Sequence, residues 1–275
     1  MKPELAGVEC EHIPGAMPAW RALVAPERLR GVCEEAKAAG GRLVALWGCD
    51  DTDLARGHRL HVALALRAGL VVLTVPMGTD DPSYPGIAGI FAAANRMQRA
   101  VHDLLGIRAL GDGDDRKWLR HGAWPADVFP LRKAFAAQTR YPDEPDGYGF
   151  VRVEGDGVHE IPVGPVHAGT IEPGHFRFSI VGETVLRLEE RLGYKHKGIE
   201  KRAEGLDLAA GARLCARVSG DSTVAYGWAY AQAVESMAGA VVPPRALWLR
   251  AILLELERVH NHLGDLGYLG NDVAL

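Results

Sequence analysis

Cysteine is scarce and spaced wrongly for a metal site. The four thiols stand at positions 10, 33, 49 and 215, and no two have C-x-x-C spacing. A zinc or iron–sulfur centre built from this chain alone is therefore not expected. Thiols so far apart in 275 residues read as reduced side chains in a cytosolic setting. An excess of one charge is missing too: the formal net charge is −4, and the arginines are spread along the chain rather than gathered in a basic block. Nucleic acid is thus not an expected partner. The longest apolar run, around Leu64 to Val75, is broken by Arg67 and Gly69, too short to span a bilayer. The opening MKPELAGVECEH has no signal-peptide apolar core. Any membrane association is expected to go through partners or a surface patch.

What is present suffices for packed cores: 48% of residues are hydrophobic and 24% charged, and the length suits about two domains. Residues 1–25 suggest only a short strand or loop entry. Pro26 to Ala39 has a proline where its missing N–H costs nothing, and Gly40-Gly41 as a stop, which predicts a helix. Leu29, Val32, Cys33 and Ala36 form its apolar face, with Cys33 a small core residue. Arg42 to Trp47 predicts a strand, and Asp50 to Asp53 a turn. Arg59 to Ala68 and Leu70 to Pro76 predict a hairpin around Ala68-Gly69. Pro82 to Gly89 reads as a loop, and Ile90 to Leu105 as a helix with a core stripe of Ala94, Met97, Val101 and Leu104. Residues 111–126 are polar and irregular. Tyr141 to Gly149, YPDEPDGYG, has linker composition. The expected organisation is an α+β domain over 1–140, a linker over 141–149, and a second domain over 150–275. That second domain would be a small antiparallel sheet followed by mainly α-helical structure.

The second domain is organised around Gly164 to Gly205. Phe176, Phe178 and Ile180 alternate with Arg177 and Ser179, which predicts a strand with one buried face and one wet face. Gly182-Glu183 reads as a hairpin turn, and Val185, Leu186 and Leu188 resume the apolar pattern. Further on, Ser222 to Ala238 predicts a helix ended by Gly239, with Asp221-Ser222-Thr223 as its N-cap. Pro243-Pro244 starts another, from Arg245 to about His262, apolar on nearly every side. A helix of that kind is expected to be buried between others. Its Arg250, Glu255, Glu257 and Arg258 must then be paired or reach water, with Glu255 and Arg258 spaced to pair.

Three segments carry a family likeness. They are Gly164-Pro165-Val166-His167, Glu172-Pro173-Gly174-His175-Phe176-Arg177-Phe178, and Tyr194-Lys195-His196-Lys197-Gly198-Ile199-Glu200-Lys201. In this order they resemble the large subunit of energy-converting membrane-bound NiFe hydrogenases and the related quinone-site subunit of complex I. Ala233-Val234-Glu235 and the series Pro243, Arg245, Ala246, Arg250, Glu255, Arg258 and His262 extend the likeness. The segment Arg96 to Lys133 is similar to the end of a small complex I subunit, which in fused chains precedes the large one. It has D-L-L-G-I at Asp103 to Ile107 and F-P-L-R-K at Phe129 to Lys133. It departs from the family's W-x-E-R-E, having Arg96-Met97-Gln98-Arg99-Ala100, so the arginine stays while both acids and the tryptophan are gone.

The resemblance implies a peripheral subunit on the cytoplasmic, inner face of the cell membrane. Its partners would be an iron–sulfur small subunit and membrane subunits, with electron transfer coupled to ion translocation. It also places cysteine ligands of a nickel–iron centre in R-x-C-G-x-C. The matching segment here is Arg217-Val218-Ser219-Gly220-Asp221-Ser222, with Ser219 and Ser222 at the cysteine positions. Neutral hydroxyls are poor ligands for a soft-ligand site, so no cofactor bound by this chain is expected. A partner's iron–sulfur cluster and a quinone are the redox groups the resemblance leaves. The complex I pattern is incomplete as well, its second histidine falling at Pro173 and its tyrosine at Gly220.

The candidate residues have two readings each. His167 contacts a ligand or structures its loop. Glu172 relays protons or is a structural carboxylate. Tyr194 and Arg217 are cofactor-side candidates by resemblance. Lys197, Glu200 and Lys201 form an ionic relay or a plain salt-bridge cluster, and His175 and Arg177 are expected to be solvated or ion-paired on the wet strand face. Ser219 as a hydrolase nucleophile lacks a G-x-S-x-G context. The functional expectation is an oxidoreductase-complex subunit without its own NiFe centre. The alternative is a non-catalytic structural or assembly homologue that docks an iron–sulfur subunit.

Overall fold

The computed structural model describes every residue except Met1, Lys2, Glu4, Ala6, Ala123, Asp143, Asp146 and 168–170. The chain forms two compact units, one of Met1–Ile13 with Met17–Glu154, the other of Pro14–Ala16 with Gly155–Leu275. The predicted linker, part of which lies outside the described residues, falls within the first of these.

In the first unit β1 (Glu11–Ile13) and β2 (Ala19–Leu23) precede helix α1 (Pro26–Ala38), which begins at its proline as expected. Strand β3 (Arg42–Asp50) runs three residues past the predicted end, and β4 (His58–Leu66) and β5 (Gly69–Met77) form the predicted hairpin. Gly69 turns it at φ +129°, where an added Cβ would lie 2.2 Å from Pro18 O. The sheet order is β1-β2-β5-β4-β3, with β2 and β5 parallel and the other pairs antiparallel. Leu60, Val62, Leu64, Val71, Leu73 and Val75 line its covered face, against Leu29, Val32, Cys33 and Ala36 of α1.

The expected loop after β5 contains a short strand, β6 (Ser83–Pro85), parallel to β7 (Arg108–Leu110). Three residues of pairing leave too little periodicity to read. Helix α2 (Ala94–Leu105) begins four residues later than predicted. Its buried apolar positions are Ala94, Val101 and Leu105, whereas Met97 and Leu104 are only partly buried against the core. Within this helix the departure at Gln98 and the arginine that stays, Arg99, form neutral and ionic contacts of their own. Gln98, where an acid was expected, accepts from Ile87 N at 2.8 Å and donates to Asp112 at 2.6 Å. Arg99 pairs with Asp114 at 3.3 Å and reaches Arg116 O at 2.6 Å. Asp103 Oδ2 accepts from the backbone N–H groups of Trp118, Leu119 and Arg120 at 2.6, 2.7 and 3.2 Å, which fastens the irregular segment to α2.

The second unit has a three-stranded antiparallel sheet of β8 (Val158–Val163), β9 (His175–Val181) and β10 (Thr184–Arg191), in the order β10-β9-β8. The helices are α3 (Ile199–Ala203), α4 (Leu208–Cys215), α5 (Thr223–Ala238) and α6 (Pro244–Asp272). Thus the predicted antiparallel sheet and helical portion are both present. Three expectations need correction. On β9 the more buried face carries His175 and Ser179, while Phe176, Phe178 and Ile180 are only half-buried. The register sets His175 opposite Arg191, Arg177 opposite Glu189 and Ser179 opposite Arg187, so the covered row is polar. Two of its members are bonded, Arg177 to Glu160 at 3.2 Å and His175 Nδ1 to Gly164 O at 3.2 Å, which offsets part of the cost of covering them. Helix α6 runs ten residues beyond the predicted end, and within this chain it is not buried. Trp248, Leu249, Ile252, Leu253 and Leu256 all remain more than half exposed, while α5 and the turn Gly220–Ser222 pack against the helix. The third correction concerns the α5 cap, described below.

Candidate functional site

The G-P-x-H loop is tied to the start of β9. His167 Nε2 lies 2.7 Å from Gly174 O, and Gly174 N donates to Pro165 O at 3.0 Å. The His167 ring also sits 5.9 Å from that of Phe176, centroid to centroid. Gly164 has φ +78°, and an added Cβ there would lie 2.2 Å from Gly174 O, so this turn admits only glycine without displacement. The geometry gives His167 a loop-structuring bond and half-buries its ring. Glu172 is exposed and makes no hydrogen bond or ion pair among the described residues. His175, expected on a wet face, is buried.

The charged segment after β10 reaches across to the R-x-S-G-x-S segment. Lys197 Nζ donates to Val218 O at 2.7 Å, one residue before Ser219. His196 Nδ1 accepts from Gly198 N at 3.2 Å, and Gly198 takes φ +62° just before α3. Lys201 pairs with Glu204 at 3.0 Å within the α3 end, while Glu200 points to solvent. Tyr194 is 40% exposed and Arg217 is exposed.

Ser219 and Ser222 bracket a single 3-10 turn, Gly220–Ser222, closed by Ser222 N donating to Ser219 O at 3.3 Å. Ser222 stands at the N-cap of α5 but makes no side-chain cap bond. The cap comes from α6: Glu257 accepts from Val224 N at 2.6 Å and from Ala225 N at 3.0 Å. A carboxylate satisfies two orphan N–H groups and opposes the positive end of the helix at once, which a serine hydroxyl does less well. Asn261, also on α6, donates to Asp221 O at 2.6 Å. Farther along, Arg250 forms a two-point pair with Glu235 of α5 at 2.6 and 3.0 Å. The segment from Arg217 to Ala225 is therefore held by Lys197 on one side and by Glu257 and Asn261 on another. Sequence reasoning paired or solvated the charges of α6 but missed Glu257 as a cap. The available signal was the spacing of Arg250, Glu257 and Asn261, seven and four residues apart on a single helix face.

As a metal site the segment offers two neutral hydroxyls and, two residues before Arg217, the single thiol of half-buried Cys215. Among the described residues no three His, Cys, Asp or Glu side chains gather as a ligand set. Hydroxyls of this kind do not suit a soft, thiolate-requiring centre, so the donor set does not fit a nickel–iron group. No helix among the described residues is long and apolar enough to cross a membrane.

Residues 22–141 match the family of the respiratory-chain NADH dehydrogenase 30 Kd subunit. Formate hydrogenlyase subunit 5 of Escherichia coli (strain K12) is 34% identical over 236 residues, which cover 83% of this chain and 42% of that protein. Hydrogenase-4 component G of the same organism is 34% identical over 235 residues, 82% of this chain and 42% of that protein. The C/D subunit of NADH-quinone oxidoreductase from Phocaeicola vulgatus is 29% identical over 215 residues, 72% of this chain and 41% of that protein. The chain spans less than half the length of these relatives.

Proposed function

We infer that this chain, whose matches support the membrane-bound hydrogenase/complex I family, is a subunit of a membrane-associated oxidoreductase complex. In this reading it carries no nickel–iron centre of its own. It docks an iron–sulfur subunit and membrane subunits from the cytoplasmic side, and it takes part in electron transfer coupled to ion translocation. Redox chemistry takes place at a partner's cluster. His167 and Glu172 are the residues proposed at the proton or quinone side, with Tyr194 and Arg217 beside the cofactor-facing segment.

The observation that supports the reading is a segment held on two sides that offers hydroxyls rather than thiolates. Lys197, Asn261 and Glu257 hold the Arg217–Ala225 segment in place, and within it Ser219 and Ser222 supply hydroxyls. Its test is the metal content of the protein purified from its own cells, together with the identity of the proteins that accompany it. Iron without nickel, in a co-purifying iron–sulfur partner, supports the reading. Nickel near one per chain refutes it, as does purification without any iron–sulfur or membrane subunit.

A second reading, a structural or assembly homologue without catalytic residues, is favoured by the bond His167 Nε2 makes to Gly174 O. A ring nitrogen engaged by its own loop is less available to a quinone. The two readings separate on point variants. His167→Ala and Glu172→Gln lower turnover of the purified complex under the first, and leave both turnover and assembly unchanged under the second.

A further inference from the structure

The end of β3 and the start of β4 enclose an acid–base pair that the functional reading does not use. His58 is 1% exposed, and Asp50, its cross-strand neighbour, is 7% exposed. His58 Nδ1 stands 3.8 Å from Asp50 Oδ1, beyond hydrogen-bonding distance, and has no hydrogen-bond partner among the described residues. The Asp50 carboxylate is committed elsewhere. Its Oδ1 accepts from Thr52 N at 3.0 Å and from Thr52 Oγ1 at 2.6 Å, and its Oδ2 accepts from Lys133 N at 2.8 Å. That last bond joins positions 83 residues apart. It fastens the end of Phe129–Lys133, the F-P-L-R-K motif, to the sheet. The rest of the motif is tied to the end of α2: Leu131 N donates to Leu104 O at 2.9 Å, and Arg132 Nε donates to Leu105 O at 2.8 Å.

We propose that His58 is a proton-operated latch on this motif: the neutral ring leaves Asp50 to Lys133 N, and the protonated ring releases Phe129–Lys133 from the sheet. Two forces act on the same segment. An imidazolium 3.8 Å away competes for the carboxylate that now serves Lys133 N. The same charge repels the Arg132 guanidinium, the cation that faces the ring from the motif. Asp50, the Cys49 backbone and Asp51 favour a charged ring, but Asp51 is already paired with Arg59. Met77, the neighbour of His58 on β5, carries no charge. Farther out, Lys133 Nζ lies 3.6 Å from Asp53. Burial outweighs the pull of Asp50 and, aided by Arg132, holds the ring below its ordinary value of 6.5, so it is neutral near pH 7. An unfolded histidine therefore takes up its proton first. The latch is at full strength above the unfolded value and weakens as pH falls through the lower, folded one. Its acid and base are both buried within the first unit, so the device does not depend on what covers the surface.

The test is amide hydrogen exchange of the full chain, read as protection factors so that the intrinsic pH dependence of exchange cancels. Between about pH 7.5 and about pH 5, protection at Leu131, Arg132 and Lys133 should fall about tenfold or more, the equivalent of one unit of linkage. Protection at Leu64, Val71 and Leu73, in the hairpin core, should hold. In His58→Gln, whose side chain is neutral throughout, the fall should disappear. In Asp50→Asn, protection of the motif should be low already at the higher pH. The ring carbon–proton signal of His58 in the wild-type chain reports its titration directly. Its midpoint should lie below 6.5 and coincide with that of the loss of protection, and this measurement decides the matter if His58→Gln does not fold. A motif whose protection ignores pH overturns the proposal. So does a fall that persists in His58→Gln, an equal fall throughout the hairpin core, or a ring midpoint apart from that of the motif. Neither metal content nor accompanying subunits enter the result, so its failure is distinct from failure of the functional reading.

Discussion

Helix α5 borrows its cap from α6, and removing that cap has a cost that can be worked out. Glu257→Ala deletes two charge-assisted acceptors, at 2.6 Å from Val224 N and 3.0 Å from Ala225 N. Both amides are partly buried, and Ser222 offers no side-chain bond in exchange. Loss of a helix cap costs about 1 kcal/mol, and an acid removed from the first turn adds about 0.5 kcal/mol. A hydrogen bond to a charged group is worth about 1.5 to 3 kcal/mol, with part of that recovered from water at a half-exposed site. The expected loss is about 2 kcal/mol, measured as a lower urea midpoint at unchanged slope. Amide exchange at Val224 and Ala225 should accelerate more than exchange at mid-helix amides. Ser222→Ala, at the nominal cap position, should stay within about 0.5 kcal/mol of wild type. The reasoning is refuted if Ser222→Ala costs as much as Glu257→Ala, for the cap would then belong to the serine.

Other perturbations have equally definite outcomes. Asp103→Ala strands three backbone N–H groups that one buried carboxylate oxygen now serves. It should cost about 3 kcal/mol in chemical denaturation and open the segment after β7 to proteolysis. Hydrogen bonding from Arg116, aided by the charge of Arg99, holds the Asp114 carboxyl down at about 2, from an ordinary 3.8. A depressed carboxylate stabilises the fold above its unfolded value and ceases to do so as pH falls through the folded one. This contribution, about 2 kcal/mol, should therefore vanish between about pH 4 and pH 2, and Asp114→Asn should flatten that part of a stability-versus-pH curve. Gly86→Ala would put a Cβ 2.0 Å from Asp112 Oδ2 and displace the acceptor of Gln98. A loss of about 1 to 3 kcal/mol in thermal or urea unfolding is expected.

Where one face of an element meets a core made by near neighbours, the sequence was enough to place it. Leu29, Val32, Cys33 and Ala36 are all at or below 2% exposure, because the sheet they cover is supplied by strands within a few tens of residues. The β4–β5 hairpin was legible for a similar reason, since Gly69 alone accommodates its turn. Alternation on β9 misled because periodicity reports which residues differ, not which face a tertiary neighbour covers. The polar row of His175, Arg177 and Ser179 is the more covered one, held by partners on β8, β10 and the Gly164 loop. Strands β6 and β7, three residues each, lie below the length at which any period is visible.

The candidate site shows the same division more sharply. Its residues were legible as motifs, and the hydroxyls of Ser219 and Ser222 could be read directly, because ligand chemistry depends on side-chain identity and needs no geometry. How the segment is held was not legible, because Glu257 lies 35 residues beyond Ser222 and acts through a helix whose composition suggested only burial. An all-round apolar pattern has two physical solutions: enclosure within the same chain, or one face held by a neighbour while another awaits a partner. Composition cannot choose between these. The bonds of Arg250, Glu257 and Asn261 fix which side of α6 faces α5 and the turn before it. A substitution that weakens the α5 cap should for that reason also loosen the turn before α5, which the same face of α6 holds through Asn261.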